Sequence, residues 1–231
     1  MHTYYKKVKI YVILTEYPDS VTLNKTETGI TSHLNCMKNK ILKAFEESIQ
    51  IKQKFLEDKI ADRILEVSKA IANAFNEGKK LILFGNGGSS TDASHIAAEF
   101  INRFKRERPG LPAIALNTDM AVITSIANDY DFSEIFARQL KSLAEDGDII
   151  IAISTSGNSP NILKAMDVAR RKKLTTVAFT GSRGDKFASK ATYAFVVPSD
   201  STPRIQETHI TLGHVICQMV EEILFEVPRK K

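Results

Sequence analysis

Apolar and polar positions change rhythm twice along this chain. Residues 1–36 mix β-forming residues with Thr, Asn and Gly and show no helical period. From Met37 the sequence becomes Lys-Asn-Lys-Ile-Leu-Lys-Ala-Phe-Glu-Glu-Ser-Ile, the spacing of an amphipathic helix. Residues 38–77 read as two helices, broken near Gln53–Asp58 and ending before Gly78. After that, short apolar runs alternate with helical stretches. Strands are predicted at Lys80–Phe84, Ala113–Leu116, Asp148–Ile153, Thr175–Phe179 and Tyr193–Val197. Helices are predicted at about Ser90–Phe104, Ala121–Ala127, Ser133–Ala144, from Ser159-Pro160 to Lys172, and Thr202–Glu226. The run Ile149-Ile150-Ile151-Ala152-Ile153 is apolar on both faces, as a central parallel strand covered by helices requires. The fold class is therefore α/β: a three-layer, doubly wound, parallel five-stranded sheet of flavodoxin-like type with N-terminal helices. Ligands are expected at the carboxyl ends of its strands.

The change at Met37 suggests a domain over residues 37–231 and an N-terminal extension over 1–36. Met37 is expected to be the biological start, or 1–36 a dispensable tail; the alternative is an extra hairpin packed on the domain. Net charge is +5, and part of it sits at the two ends (Lys6, Lys7, Lys9; Arg229, Lys230, Lys231). Basic residues are not gathered as a nucleic-acid groove would need, so no nucleic-acid partner is expected. Two cysteines, Cys36 and Cys217, form no CxxC pair and fit a reducing compartment. The apolar run at residues 10–14 is too short for a signal segment, and nothing approaches the roughly 18–20 apolar residues of a membrane span. A cytoplasmic protein with no membrane partner is expected.

Two loops carry candidate binding chemistry. Gly85-Asn86-Gly87-Gly88-Ser89-Ser90 follows a strand and opens a helix, where glycines let a ligand approach the backbone and free N–H groups favour an anion. It lacks both the Gly-Lys-Ser/Thr of a Walker A loop and GxGxxG spacing. Ser154-Thr155-Ser156-Gly157-Asn158-Ser159 occupies the equivalent place after another strand, and its hydroxyls and amides suit a phosphate monoester bound without lysine. One such loop is also what a tight turn or linker looks like; the pairing is the stronger signal. His95 and Glu99 stand four apart on one helical face, placed to share a metal, divide acid and base roles, or simply form a surface ion pair. On the closing helix Gln206 and His214 lie about 80° apart at 100° per residue. Ideal geometry prefers Glu207 with His214, or Gln206 with His209, and spacing alone leaves the choice open. Asn128-Asp129 could bind hydroxyls or only end a helix. Arg103 could reach phosphate or pair with Glu99. Cys217 reads as a small core residue, and Arg171-Lys172-Lys173 as a solvated helix end.

At these residues the chain resembles the sugar isomerase (SIS) superfamily and, within it, the phosphoheptose isomerases. The segments are FGNGGSSTDASHIAAEF, RPGLPAIAL, IANDYDF, AISTSGNSPNI and RIQETHITLGH, within roughly Met37 to Phe225. The resemblance implies interconversion of sedoheptulose 7-phosphate and D-glycero-D-manno-heptose 7-phosphate through an enediol, the first step toward nucleotide-activated heptose for surface polysaccharide such as lipopolysaccharide. It implies substrate contacts from Asn86, Gly87, Gly88, Glu99, Asn128, Asp129, Ser154, Thr155, Ser156, Ser159 and Gln206. It implies one Zn2+ per subunit on His95, Glu99, Gln206 and His214, with Glu99 and His214 as the catalytic pair. It also implies a homotetramer with active sites built between subunits. Pro203 stands where some members carry a carboxylate. Two rival readings are a non-catalytic SIS adaptor of the replication-initiator-associating kind, and another sugar-phosphate isomerase, lyase or sensor. The adaptors lack the carboxylate and imidazole corresponding to Glu99 and His214.

Overall fold

A computed structural model of the chain describes residues 27–56 and 59–225. The chain divides between Lys43 and Ala44 into two units. The described part of the first is the N-terminal stretch of helix α1, which runs over Glu27–Phe55. The expected helix start at Met37 is thus corrected. Ile30, Leu34, Met37 and Ile41 already keep a four-three-four spacing that the intervening Thr, Ser and Asn conceal. Whether residues 1–26 form a tail or a hairpin lies outside the described residues.

The second unit is the α/β body. It comprises α2 (Ile60–Asn76), β1 (Leu81–Gly85), α3 (Gly88–Ile101), β2 (Ala113–Ala115), α4 (Met120–Asp129), α5 (Ile135–Leu143), β3 (Ile149–Ser154), α6 (Pro160–Arg171), β4 (Thr175–Gly181), α7 (Asp185–Ala188), β5 (Tyr193–Val197) and α8 (Thr202–Phe225). All strand pairings are parallel, in the order β2-β1-β3-β4-β5. Alternation along each strand divides the core. Leu81, Leu83, Ile151 and Phe179 pack with α2, α3 and α8, while Ile82, Phe84, Ile150 and Ala178 pack with α4 to α7.

The expected elements are present with shifted ends. Asp148 precedes β3 and is fully buried. It accepts the backbone N–H groups of Lys80 (2.9 Å) and Glu145 (2.8 Å) and pairs with the Lys80 ammonium at 2.8 Å. α3 stops at Ile101, three residues short of the expected Phe104, where the chain turns back and Leu111 N–H bonds the Phe100 carbonyl. A 3-10 turn at Phe132–Glu134, started by the Asp131 carboxylate on Ser133 N–H (2.8 Å), precedes α5. The four-residue α7 is too short to leave a periodic signal.

The strand order places the topological switch between β1 and β3, which pair side by side. The loops after these two strands are the two Ser/Gly loops, so the expected cradles are neighbours where such sheets bind ligands. α3 and α8 are fixed by Ile96, Phe100, Leu212 and Ile216, each no more than 2 % exposed. At about 1.5–3 kcal/mol per fully buried large apolar side chain, these helices are anchored independently of any ligand.

Candidate active site

The first cradle opens α3. Gly87, at φ 54° and ψ −126°, sits in backbone space that a side chain disfavours, and it stands at the N-cap position. Ser90 and Thr91 turn their hydroxyls onto the carbonyls of Gly87 (2.7 Å) and Gly88 (2.6 Å), and Ser89 is buried. Asn86 and Asn161 exchange two amide hydrogen bonds, each of 2.9 Å. The Asn86 side chain therefore ties the first cradle to the start of α6, leaving its backbone for a ligand. In the second cradle, the hydroxyls of Ser154 and Ser156 accept backbone N–H groups of their own turn, from Gly157 (3.2 Å) and Asn158 (3.3 Å). Ser159 stands at the N-cap of α6 with Pro160 following, as expected, yet its side chain makes no cap bond. Its hydroxyl remains free to meet a ligand, as does the O–H of Ser156.

His95, Glu99 and His214 meet where α3 and α8 face each other. His95 Nε2 lies 3.0 Å from Glu99 Oε1 and 3.4 Å from His214 Nε2, and one donor atom from each of the three falls within 4.8 Å of the others. The two imidazoles meet edge to face at 4.9 Å, and the Phe104 ring lies 5.7 Å from that of His214. Donors at about 2.0–2.1 Å around a tetrahedral zinc stand roughly 3.3 Å from one another. The donor spacing and chemistry of these three residues therefore fit zinc.

Spacing left the closing helix ambiguous, and the structure decides it. A methyl added to Gly88 would come 2.4 Å from Gln206 Nε2, so the Gln206 amide lies over the first cradle. His209 instead enters the core, fully buried, with Nε2 3.2 Å from the Thr180 carbonyl. Burial pushes its pKa down to about 4, against the raising influence of that carbonyl. Glu207 turns away to ion-pair with Arg204. The ideal-helix preference for Glu207 or His209 is thus corrected. α8 packs along α3, and Gly88, His95 and Ile96 meet Gln206, His214 and Gly213 in register. Arg103 pairs with Glu107 at 3.7 Å rather than with Glu99. Cys217 is buried core, and burial raises its thiol pKa.

Asn128 and Asp129 end α4 on the opposite side of the sheet from α3 and α8. Both are exposed, and the Asn128 amide donates to the Asp129 carboxylate at 2.9 Å. Lys164 ties the neighbouring 3-10 turn to α6 through Ser133 (2.5 Å) and Glu134 (2.9 Å). Three polar residues near the cradles escaped the sequence reading. Asp92 precedes His95 by one turn. Its pKa rises to about 6 because burial outweighs the nearby His95, and Oδ2 is buried without a partner. Four residues after Gly88 and three before His95, it shares their helical face, which was the available signal. Asn161 was visible only as the next polar residue after Ser159-Pro160. Asn117 donates to the Ser90 carbonyl (2.9 Å) and Ser94 Oγ (2.8 Å), a contact no local spacing announces.

A family model for the SIS domain matches residues 44–181. A phosphoheptose isomerase from Thermodesulfovibrio yellowstonii is 63% identical over 195 residues, covering 84% of this chain and 96% of the relative. The chain belongs to the phosphoheptose isomerase family. Two solved phosphoheptose isomerases agree. The one from Francisella tularensis superposes with a TM-score of 0.77 at 36% identity, covering 80% of this chain and 98% of that one. The one from Neisseria gonorrhoeae gives 0.75 at 33% identity, covering 80% and 99%. Family membership thus bears out the resemblance carried by the two cradles and the RIQETHITLGH helix, along with the α/β fold it implied.

Proposed function

We propose that this chain isomerises sedoheptulose 7-phosphate to D-glycero-D-manno-heptose 7-phosphate, the first step toward nucleotide-activated heptose. The observation that carries the reading is the meeting of Glu99 and His214 beside the first cradle, within a phosphoheptose isomerase chain. A binding module needs only the cradles; an aldose–ketose isomerase also needs groups that move protons, and a carboxylate and an imidazole can do so. The cradles hold the phosphate and hydroxyls through Gly87, Gly88 and the Asn86 backbone, and through Ser154, Thr155, Ser156 and Ser159, with Gln206 over Gly88. Glu99 takes the proton from C1 of the ketose and returns it to C2. His214 gives a proton to the carbonyl oxygen at C2 and accepts the one leaving the C1 hydroxyl, after serving ring opening. His95, Glu99 and His214 would hold one zinc per subunit, joined by Gln206 if its amide swings from Gly88. Bound there, zinc would polarise the carbonyl and hydroxyl oxygens as a Lewis acid. Metal binding and proton transfer compete for Glu99, and equally for His214, whose Nε2 faces the cluster.

The reading includes a homotetramer with sites completed between subunits. Two features support it: α1 exposes Phe45 (70 %) and Ile49 (55 %), and Asn128 and Asp129 stand exposed. Among the described residues no helix is long and apolar enough to cross a membrane, and both cysteines are free. A cytoplasmic location completes the proposal. The test is a coupled assay on sedoheptulose 7-phosphate with zinc supplied or chelated, beside light scattering for oligomeric state. Turnover that falls on chelation and returns with zinc is expected. Absence of turnover under both conditions would favour the adaptor or sensor reading and sink this one.

A further inference from the structure

The turn that follows α3 is held by an ion pair that plays no part in the chemistry above. Arg108 Nε bonds Glu221 Oε1 at 2.9 Å, and the two side chains are only 2% and 3% exposed. The other guanidinium nitrogens finish α3: Nη2 donates to the carbonyl of Glu99 itself (2.8 Å) and Nη1 to that of Phe100 (2.9 Å). Glu221 in turn accepts backbone N–H groups of the returning chain, from Lys105 (2.9 Å), Arg106 (3.2 Å) and Phe104 (3.4 Å). Burial would raise the Glu221 pKa, but these N–H groups and Arg108 hold it below the usual carboxylate range. Glu221 lies seven residues beyond His214, two turns further along α8. One buried pair therefore joins the backbone of Glu99 to the helix that carries His214. It also fixes Phe104, whose ring packs beside that of His214.

We propose that Arg108 and Glu221 are positioning residues that set the separation of Glu99 and His95 from His214. This rests on the reading of that cluster as the reactive centre. Arg108 satisfies carbonyls that the end of α3 leaves unpaired, so the contacts that stabilise this turn also fix where Glu99 stands relative to α8. Groups that orient ligating or proton-transferring side chains without touching substrate typically matter by about 10- to 100-fold in metal affinity or activity.

The experiment compares full-length wild type with Glu221→Gln and Arg108→Lys. Three readouts are taken at a temperature where circular dichroism shows all three folded: zinc affinity by chelator competition on metal-stripped protein, kcat and KM on sedoheptulose 7-phosphate, and histidine ring NMR. Zinc affinity is expected to fall about tenfold or more, and kcat to fall with KM nearly unchanged. The His95 and His214 resonances should move while those of buried His209 stay in place. If either variant does not fold, Arg108→Gln with Glu221→Gln removes both charges while keeping a donor for the α3 carbonyls and an acceptor for the turn's N–H groups. That double variant should fold and still show the displaced His95 and His214 signals. Folded variants in which His95, His209 and His214 are all unmoved, or all moved together, overturn the proposal, as does wild-type zinc affinity and kcat. A wild type without turnover sinks the functional reading instead, and the NMR comparison still decides the positioning role.

Discussion

The two sides of the candidate site are built differently. On the α3–α8 side the chain itself brings the groups together. His95, Glu99 and His214 share one cluster, Gln206 lies over Gly88, and buried apolar side chains and the Arg108–Glu221 pair hold both helices. On the α4 side Asn128 and Asp129 are exposed and bonded only to each other among the described residues. Groups that move protons need fixed separations, which a packed core supplies. Groups that only bind hydroxyls tolerate exposure, and a second subunit can supply what shields them.

The sharpest way to break this contrast is Glu99→Gln, which keeps the shape and removes the base. kcat is expected to fall by about 10²- to 10⁴-fold, read in the coupled assay. Near-normal turnover would place the base elsewhere and reduce the α3–α8 side to a binding surface.

Acid probes the same side through its core. His209 is neutral in the fold, with a pKa of about 4 against an ordinary 6.5. A depressed base contributes stability that is present above pH 6.5 and lost as pH falls toward 4. The loss is on the order of 3 kcal/mol at about 1.4 kcal/mol per pKa unit. Asp92, raised to about 6, acts in the opposite sense and loses stability as pH rises from 3.8 through 6. Melting temperature followed from pH 7 to 4 should fall in wild type and flatten in His209→Gln. An unchanged slope in that variant would show that acid acts through other groups.

Two smaller effects separate the sides directly. In Gly88→Ala the new methyl meets the far end of the Gln206 side chain at 2.4 Å, which can swing aside. Stability should therefore change little while turnover drops about tenfold, the worth of one well-placed hydrogen bond to a charged or reacting group. Full activity would show that Gln206 need not sit over the cradle. For Asn128→Ala with Asp129→Ala, KM should rise several-fold to about tenfold, with kcat little changed and melting temperature unaffected, as exposed positions usually behave. A loss of kcat instead would mean that the exposed side also positions reacting atoms, and the contrast would fail.

Much of this molecule was legible in its sequence, for identifiable reasons. A parallel strand covered on both faces is largely apolar or β-branched, so β1, β3 and β4 announced themselves, and Gly and Pro marked the turns. A cradle is local: six consecutive residues make it, so both loops could be read as motifs. The His95–Glu99 pair is local too, because four residues on a helix are neighbours. What stayed hidden depends on contacts between distant segments. Early α1 kept its helical spacing among residues that obscure it, and α7 was too short for any period to show.

Sequence by itself determined the fold class, the two cradles, the family and the residue types at hand, since each is written in local pattern and motif. Only the tertiary structure decided which side of α8 meets α3. That choice sent His209 into the core and His214 to the cluster, though both are histidines on one helix. It spent the Asn86 side chain on Asn161, turned Arg103 toward Glu107, and set Glu221 against Arg108 across 113 residues. The physical reason is that burial and partner are set by packing between elements, which no spacing along one helix encodes.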